Sequence, residues 1–181
     1  MSILVIPLAI SFFITLFLIP NWIKRAEQAK LTGRDIHKIS DKEIAEAGGV
    51  TVIAGFSVGL LAYVAINTFF FKSNLYFIEI FSLLSVILLI GFVAFTDDIL
   101  GWKIGLRRRT RIFLVAFASI PLIVINAGKS AISFPFFGAV EWGIIYPIVI
   151  IPIGIVGATT TYNFLAGFNG VEAGLGVILL S

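Results

Sequence analysis

Long apolar runs alternate with short polar stretches along this chain, and the length of the runs sets the first expectation. Residues 1–23, 47–71, 75–96, 112–128 and 142–165 are apolar nearly throughout. A hydrocarbon core about 30 Å thick takes about 20 helical residues to cross, so each run predicts a transmembrane helix. A further apolar run starts at Ala173 and stops at Ser181, which reads as the start of a sixth span, cut short. No segment has the strict polar–apolar alternation of a barrel strand, and in lipid a helix satisfies its own backbone polar groups. The expected fold is therefore all-α: a polytopic transmembrane helical bundle, five spans plus the start of a sixth, in a single domain over residues 1–181.

Composition agrees. Hydrophobic residues make up 59% and charged residues 13% of the 181 residues, whereas a soluble domain carries about 25% charged. The first run has no basic residue before it and no small-residue cleavage pattern after it, so it reads as a retained anchor, not a signal peptide. The absence of cysteine excludes disulfides and thiolate metal sites.

The placement of charge says more than its sum of +3. Of the 13 Lys and Arg, six lie between Lys24 and Lys42 and five between Lys103 and Arg111. The positive-inside bias then puts the first and third loops in the cytoplasm and the N-terminus outside. Lys72 and Lys129 fall in the two outer turns. On that topology the fifth span runs inward, and Asn163–Glu172 emerges on the cytoplasmic face beside the other two polar regions. A nucleic-acid partner is not expected; the bilayer is.

Three polar stretches carry candidate chemistry. Asp97-Asp98 ends the third run. The plain reading is two polar residues closing a helix, yet carboxylates at the negative end of a helix dipole are poorly placed unless a cation relieves them. Mg²⁺ favours one or two carboxylates with substrate phosphates. The cluster Lys103, Arg107, Arg108, Arg109 and Arg111 serves topology and anionic headgroups, or grips phosphate through bidentate guanidinium pairs. Asn163–Gly170 reads as a Gly-rich helix end, but that leaves two asparagines six apart unexplained; a break near Ala166-Gly167 lets both face one ligand, to which Asn offers donor and acceptor. His37, the one histidine, is too little for a metal site.

"GRDIHKISDKEIAEAGGV", "GFVAFTDDILG" and "NFLAGFNGVEAG", in this order and separated by apolar spans, resemble the polyprenyl-phosphate N-acetylhexosamine-1-phosphate transferases. The likeness covers roughly Gly33 to Ser181 and is closest to the dolichol-type branch of archaea and eukaryotes; the bacterial cell-wall branch usually has aspartates where Ala166 and Asn169 stand. The resemblance implies transfer of N-acetylglucosamine 1-phosphate from UDP-N-acetylglucosamine to dolichyl or another polyprenyl phosphate, with UMP released, Mg²⁺ required and a homodimer as the family's usual state. This is the first step of lipid-linked oligosaccharide assembly for N-glycosylation. It also implies roles. Asp97, Asp98 and Asn163 match the catalytic face, Asp97 and Asp98 as metal ligands, with Arg111 as the basic residue opening the next span (Arg107 or Arg109 are the alternatives). Arg34, Ile36 through its backbone, Glu46, Asn169 and the adjoining Gly170 match positions that hold the uridine. A phosphate monoester with a second pKa near 6 is already mostly dianionic at neutral pH, so Asp97 and Asp98 are expected to organise metal and lipid phosphate, with proton removal by Asp97 secondary.

The resemblance has a limit. Family members have further spans, which supply another metal-binding aspartate and a His/Arg loop, and these 181 residues contain neither. The chain is expected to be the N-terminal part of a longer enzyme and inactive alone. Two other readings stay open: a transporter, whose broken helices meet near the midplane between inverted repeats, and a non-catalytic assembly subunit.

Overall fold

Thr51, Gly55 and Gly59 recur every four residues along one helix and form its buried stripe. They lie against Pro7, Ser11 and Thr15, also four apart, on the helix before it. A Cβ at Gly55 would fall on the Thr15 hydroxyl and 2.9 Å from the Ser11 carbonyl oxygen. One at Gly59 would stand 2.7 Å from Ser11 Cβ and 2.8 Å from the Pro7 carbonyl oxygen. Lipid offers no hydrophobic drive between apolar helices, and small residues that let backbones approach closely take its place. The order of these contacts makes the two helices, α1 (Val5–Gln28) and α2 (Gly49–Phe69), antiparallel.

The computed structural model describes residues 4–34, 43–134, 138–164 and 171–180. They fall into two compact units, Met1–Arg107 and Arg108–Ser181. In the first unit, α3 (Phe77–Ile104) packs on α2, where Gly91 makes room for the end of the Ile53 side chain. Its contacts place it antiparallel to α2 and so parallel to α1. The segment joining α1 to α2 carries a short hairpin, β1 (Thr32–Arg34) against β2 (Glu43–Ala45), with Thr32 opposite Ala45 and Arg34 opposite Glu43. The Thr32 hydroxyl donates to Glu43 Oε2 at 2.7 Å.

The second unit opens with α4 (Arg108–Ala118) and α5 (Ile120–Ile125). They are separated at Ser119, which is fully buried and donates its hydroxyl to the Ala116 carbonyl oxygen at 2.6 Å. Pro121 stands in the first turn of α5, where a missing N–H is harmless because the helix's first N–H groups have no partner within it. A second hairpin follows, β3 (Ala131–Phe134) with β4 (Gly138–Glu141), closed by the Trp142 N–H donating to the Ser130 carbonyl oxygen at 2.6 Å. The chain then enters a π-helical turn, Tyr146–Ile150, that runs into α6 (Ile151–Phe164). The widening has a cause: Pro152 has no N–H for the ladder, and Ile151 reaches back five residues to the Tyr146 carbonyl oxygen. The last helix is α7 (Val171–Leu180); a Cβ at its Gly176 would meet the Tyr162 hydroxyl at 3.0 Å.

Helices dominate, as the apolar runs predict. Among the described residues three helices, Val5–Gln28, Gly49–Phe69 and Phe77–Gly101, are long and apolar enough to cross a membrane, and Tyr146–Tyr162 is a shorter apolar helix. Their outward faces carry exposed Leu, Ile and Phe side chains, among them Phe12, Phe13, Phe17 and Phe92, as lipid contact requires. The all-α expectation needs one correction. Among the described residues two antiparallel hairpins stand between helices, because the connecting segments satisfy part of their backbone by pairing with themselves.

Candidate active site

The acidic pair lies inside α3, one turn before a break. Helical geometry continues through Leu100, and Gly101 then adopts φ 66°, ψ −179°, a region that is essentially glycine's alone. The chain turns back on itself: the Gly105 N–H donates to the Gly101 carbonyl oxygen at 2.8 Å, and the Leu106 N–H donates to Asp97 Oδ1 at 2.7 Å. A Cβ at Gly105 would stand 2.8 Å from the Gly101 carbonyl oxygen and 3.0 Å from Asp97 Oδ1. Two glycines four apart thus let a half-buried aspartate accept a backbone donor from beyond its own helix. That bond places favourable positive charge at a helix end where a carboxylate is otherwise disfavoured. Asp98, the next residue, is exposed.

Glu46 follows β2. Its N–H donates to the Leu31 carbonyl oxygen at 3.0 Å, which extends the hairpin by one rung, and it is half-buried. Its carboxylate lies over Gly33, where a Cβ would be 2.9 Å from Glu46 Cδ. The glycine of the Gly33-Arg34 motif is therefore the floor on which the glutamate rests. Arg34 closes β1 opposite Glu43.

One side chain joins these two sites. Trp22, in the last third of α1, donates its indole N–H to the Glu46 carbonyl oxygen at 3.0 Å. Its ring meets Phe95 with centroids 6.0 Å apart and planes tilted by 57°. Phe95 precedes Asp97 by two residues. The hairpin with Arg34 and Glu46 and the α3 end with Asp97 and Asp98 therefore occupy the same end of the first unit.

The second unit carries the other two candidates that lie among the described residues. Arg111 is half-buried in the first turn of α4, which begins Arg108-Arg109-Thr110-Arg111 and has no acidic residue there. Helix N-termini favour anions, and arginines add to that preference. Asn163 is the penultimate residue of α6. Ile36, His37, Asn169 and Gly170 lie outside the described residues. Sequence alone assigns no role to Trp22, Phe95, Gly101 or Gly105, although Phe95 and Gly101 stand within the GFVAFTDDILG motif. For the glycines a signal was there, two of them spaced four apart directly after an acidic pair; for the aromatic residues there was none.

The family model for glycosyl transferase family 4 matches residues 80–181, the stretch that holds the acidic pair, the arginines of α4 and the Asn-rich motif. This chain belongs to glycosyl transferase family 4. It is also similar to whole proteins along nearly its full length. One, from Saccharolobus solfataricus, provisionally named UDP-N-acetylglucosamine–dolichyl-phosphate N-acetylglucosaminephosphotransferase, is 37% identical over 98% of this chain and 52% of its own length. A second of the same provisional name, from Sulfolobus acidocaldarius, is 34% identical over 94% of this chain and 50% of its own. A third, the enzyme of that name from Dictyostelium discoideum, is 32% identical over 92% of this chain and 43% of its own. The chain spans about half the length of these relatives.

Proposed function

We propose that this chain forms the donor-nucleotide side and part of the catalytic face of a membrane phosphotransferase. The enzyme would transfer N-acetylglucosamine 1-phosphate from UDP-N-acetylglucosamine to dolichyl or a related polyprenyl phosphate. A phosphate oxygen of the lipid attacks the β-phosphorus of the nucleotide sugar, the bond from that phosphorus to the bridging oxygen breaks, and UMP departs with the bridging oxygen. The observation that carries this reading is the placement of the Glu46 hairpin and the Asp97–Asp98 helix end at one end of the α1–α3 unit. A nucleotide site next to a phosphate-handling carboxylate pair is what this reaction needs. The names of the relatives supply the substrate classes.

The acidic pair fits a divalent cation in one specific way. Among the described residues no group of three or more His, Cys, Asp or Glu is gathered to hold a metal, so a fully protein-ligated site is not built here. Mg²⁺, however, commonly takes one or two carboxylates and completes its shell with water and substrate phosphate. Asp98 and the second oxygen of Asp97 would hold it. Bound there, such an ion neutralises diphosphate charge, which with positioning is most of what phosphoryl transfer requires. Asp97 and Asp98 orient the lipid phosphate, Arg34, Ile36, Glu46, Asn169 and Gly170 hold the uridine, and Arg111 and Asn163 complete the catalytic face.

A five-span arrangement continuing into a sixth, with the N-terminus outside and the site at the cytoplasmic boundary, suits these substrates: the prenyl headgroup sits at that surface and the nucleotide sugar arrives from the aqueous side. The test uses membranes containing the complete gene product, supplied with UDP-N-acetylglucosamine, polyprenyl phosphate and Mg²⁺. Wild type releases UMP and forms the lipid-linked sugar, and Asp98→Asn lowers the rate by about a hundredfold or more, the scale of losing one preorganised charge contact. Equal rates for both would sink the assignment.

A further inference from the structure

We infer that Trp22 is a positioning residue that couples the Glu46 hairpin to the carboxylate-bearing end of α3. Tryptophan near the end of a membrane helix usually serves as an interfacial anchor, its ring at the headgroup level and its N–H toward water. Trp22 is used otherwise. It is half-buried, its N–H is taken by the carbonyl oxygen of Glu46, and its ring lies against Phe95. The two partners lie on different segments: Glu46, directly after β2, is itself a candidate site residue, and Phe95 in α3 precedes Asp97 by two residues. One turn further along α1, Ala26 is buried and its carbonyl oxygen accepts the Leu31 N–H at 2.9 Å. The turn that leads into β1 is thus fixed from the same stretch of helix.

The two halves of the indole act differently. The N–H restrains the hairpin, and so the nucleotide-side residues. The ring restrains α3 four residues past Gly91, so it bears on Asp97 and Asp98. Removing the N–H while keeping an aromatic ring loosens only the first. This inference rests on the proposed nucleotide role of the hairpin, so its test has one arm that needs no activity.

In the complete gene product in membranes, Trp22→Phe is expected to raise the KM for UDP-N-acetylglucosamine about fivefold, the usual worth of one net hydrogen bond, with kcat within about twofold. In the same variant, deuterium uptake across residues 31–34 and 43–46 is expected to quicken while that of α2 does not change. Phe95→Leu, which leaves the hydrogen bond in place, is expected to lower kcat with KM little altered; it also serves if Trp22→Phe fails to accumulate. Wild-type KM and wild-type exchange in Trp22→Phe overturn the inference, as does a general acceleration of exchange through α1 and α2, which marks a merely structural role. A wild-type protein that releases no UMP defeats the proposed function alone, and the exchange arm still decides the coupling.

Discussion

Asp97 and Asp98 are neighbours with the same chemistry and different surroundings. Asp97 accepts the Leu106 N–H and lies half-buried under the Gly101–Gly105 turn; Asp98 is exposed. Substitutions should therefore separate architecture from charge. Asp97→Asn retains an acceptor oxygen for Leu106, so it should melt above Asp97→Leu in detergent while losing activity. Asp97→Leu removes the acceptor and strands a backbone donor, which costs about 1–3 kcal/mol where it is buried, so it should lower both. Identical melting temperatures for the two variants would mean that the bond to Leu106 contributes nothing. At this scale the sequence was partly legible. Adjacent carboxylates beside a basic run mark a candidate site. The inequality between them was hidden, because it depends on a donor nine residues on that only a folded turn brings back.

Among the elements, the helices were the legible part and their connections were not. A long apolar run needs only its length to be read as a helix, whereas strands of three or four residues are too short to display a period. The break in α3 is a case between. Gly101 was in plain view, but its backbone angles, φ 66° and ψ −179°, follow from the path the chain takes afterwards. Among the described residues, nothing beyond its chain neighbours and its own helix backbone lies within 4 Å of a Cβ built there, so an alanine suffers chiefly from the backbone conformation. Gly101→Ala should therefore cost about 1–3 kcal/mol of strain. The expected outcome is a properly inserted protein whose UMP release falls at least about fivefold. Full activity in Gly101→Ala would show that the turn is not needed in this form.

For the whole chain, the placement of charge and the fold bear on the same question from different directions. The lysine and arginine distribution predicts that the two basic loops, Lys24–Lys42 and Lys103–Arg111, share a compartment, and Trp22 brings the helix ends beside those loops together in the first unit. The third region, Asn163–Glu172, rests on charge counting alone, because most of it falls outside the described residues. Single cysteines can check this, since the chain has none of its own. A membrane-impermeant maleimide should reach Ile44→Cys and Arg107→Cys from the cytoplasmic side and Ser73→Cys from the opposite side. Labelling of Ile44→Cys and Arg107→Cys from opposite sides would break the proposed site apart.

The close fit of α1 on α2 has an effect on the segment strung between them. Both ends of that loop are pinned by two helices whose backbones nearly touch at Gly55 and Gly59, so the entropy of bringing its ends together is lost when the helical pair forms. A molecule that later docks on the loop has correspondingly less disorder to remove, and more of its contact energy survives as affinity.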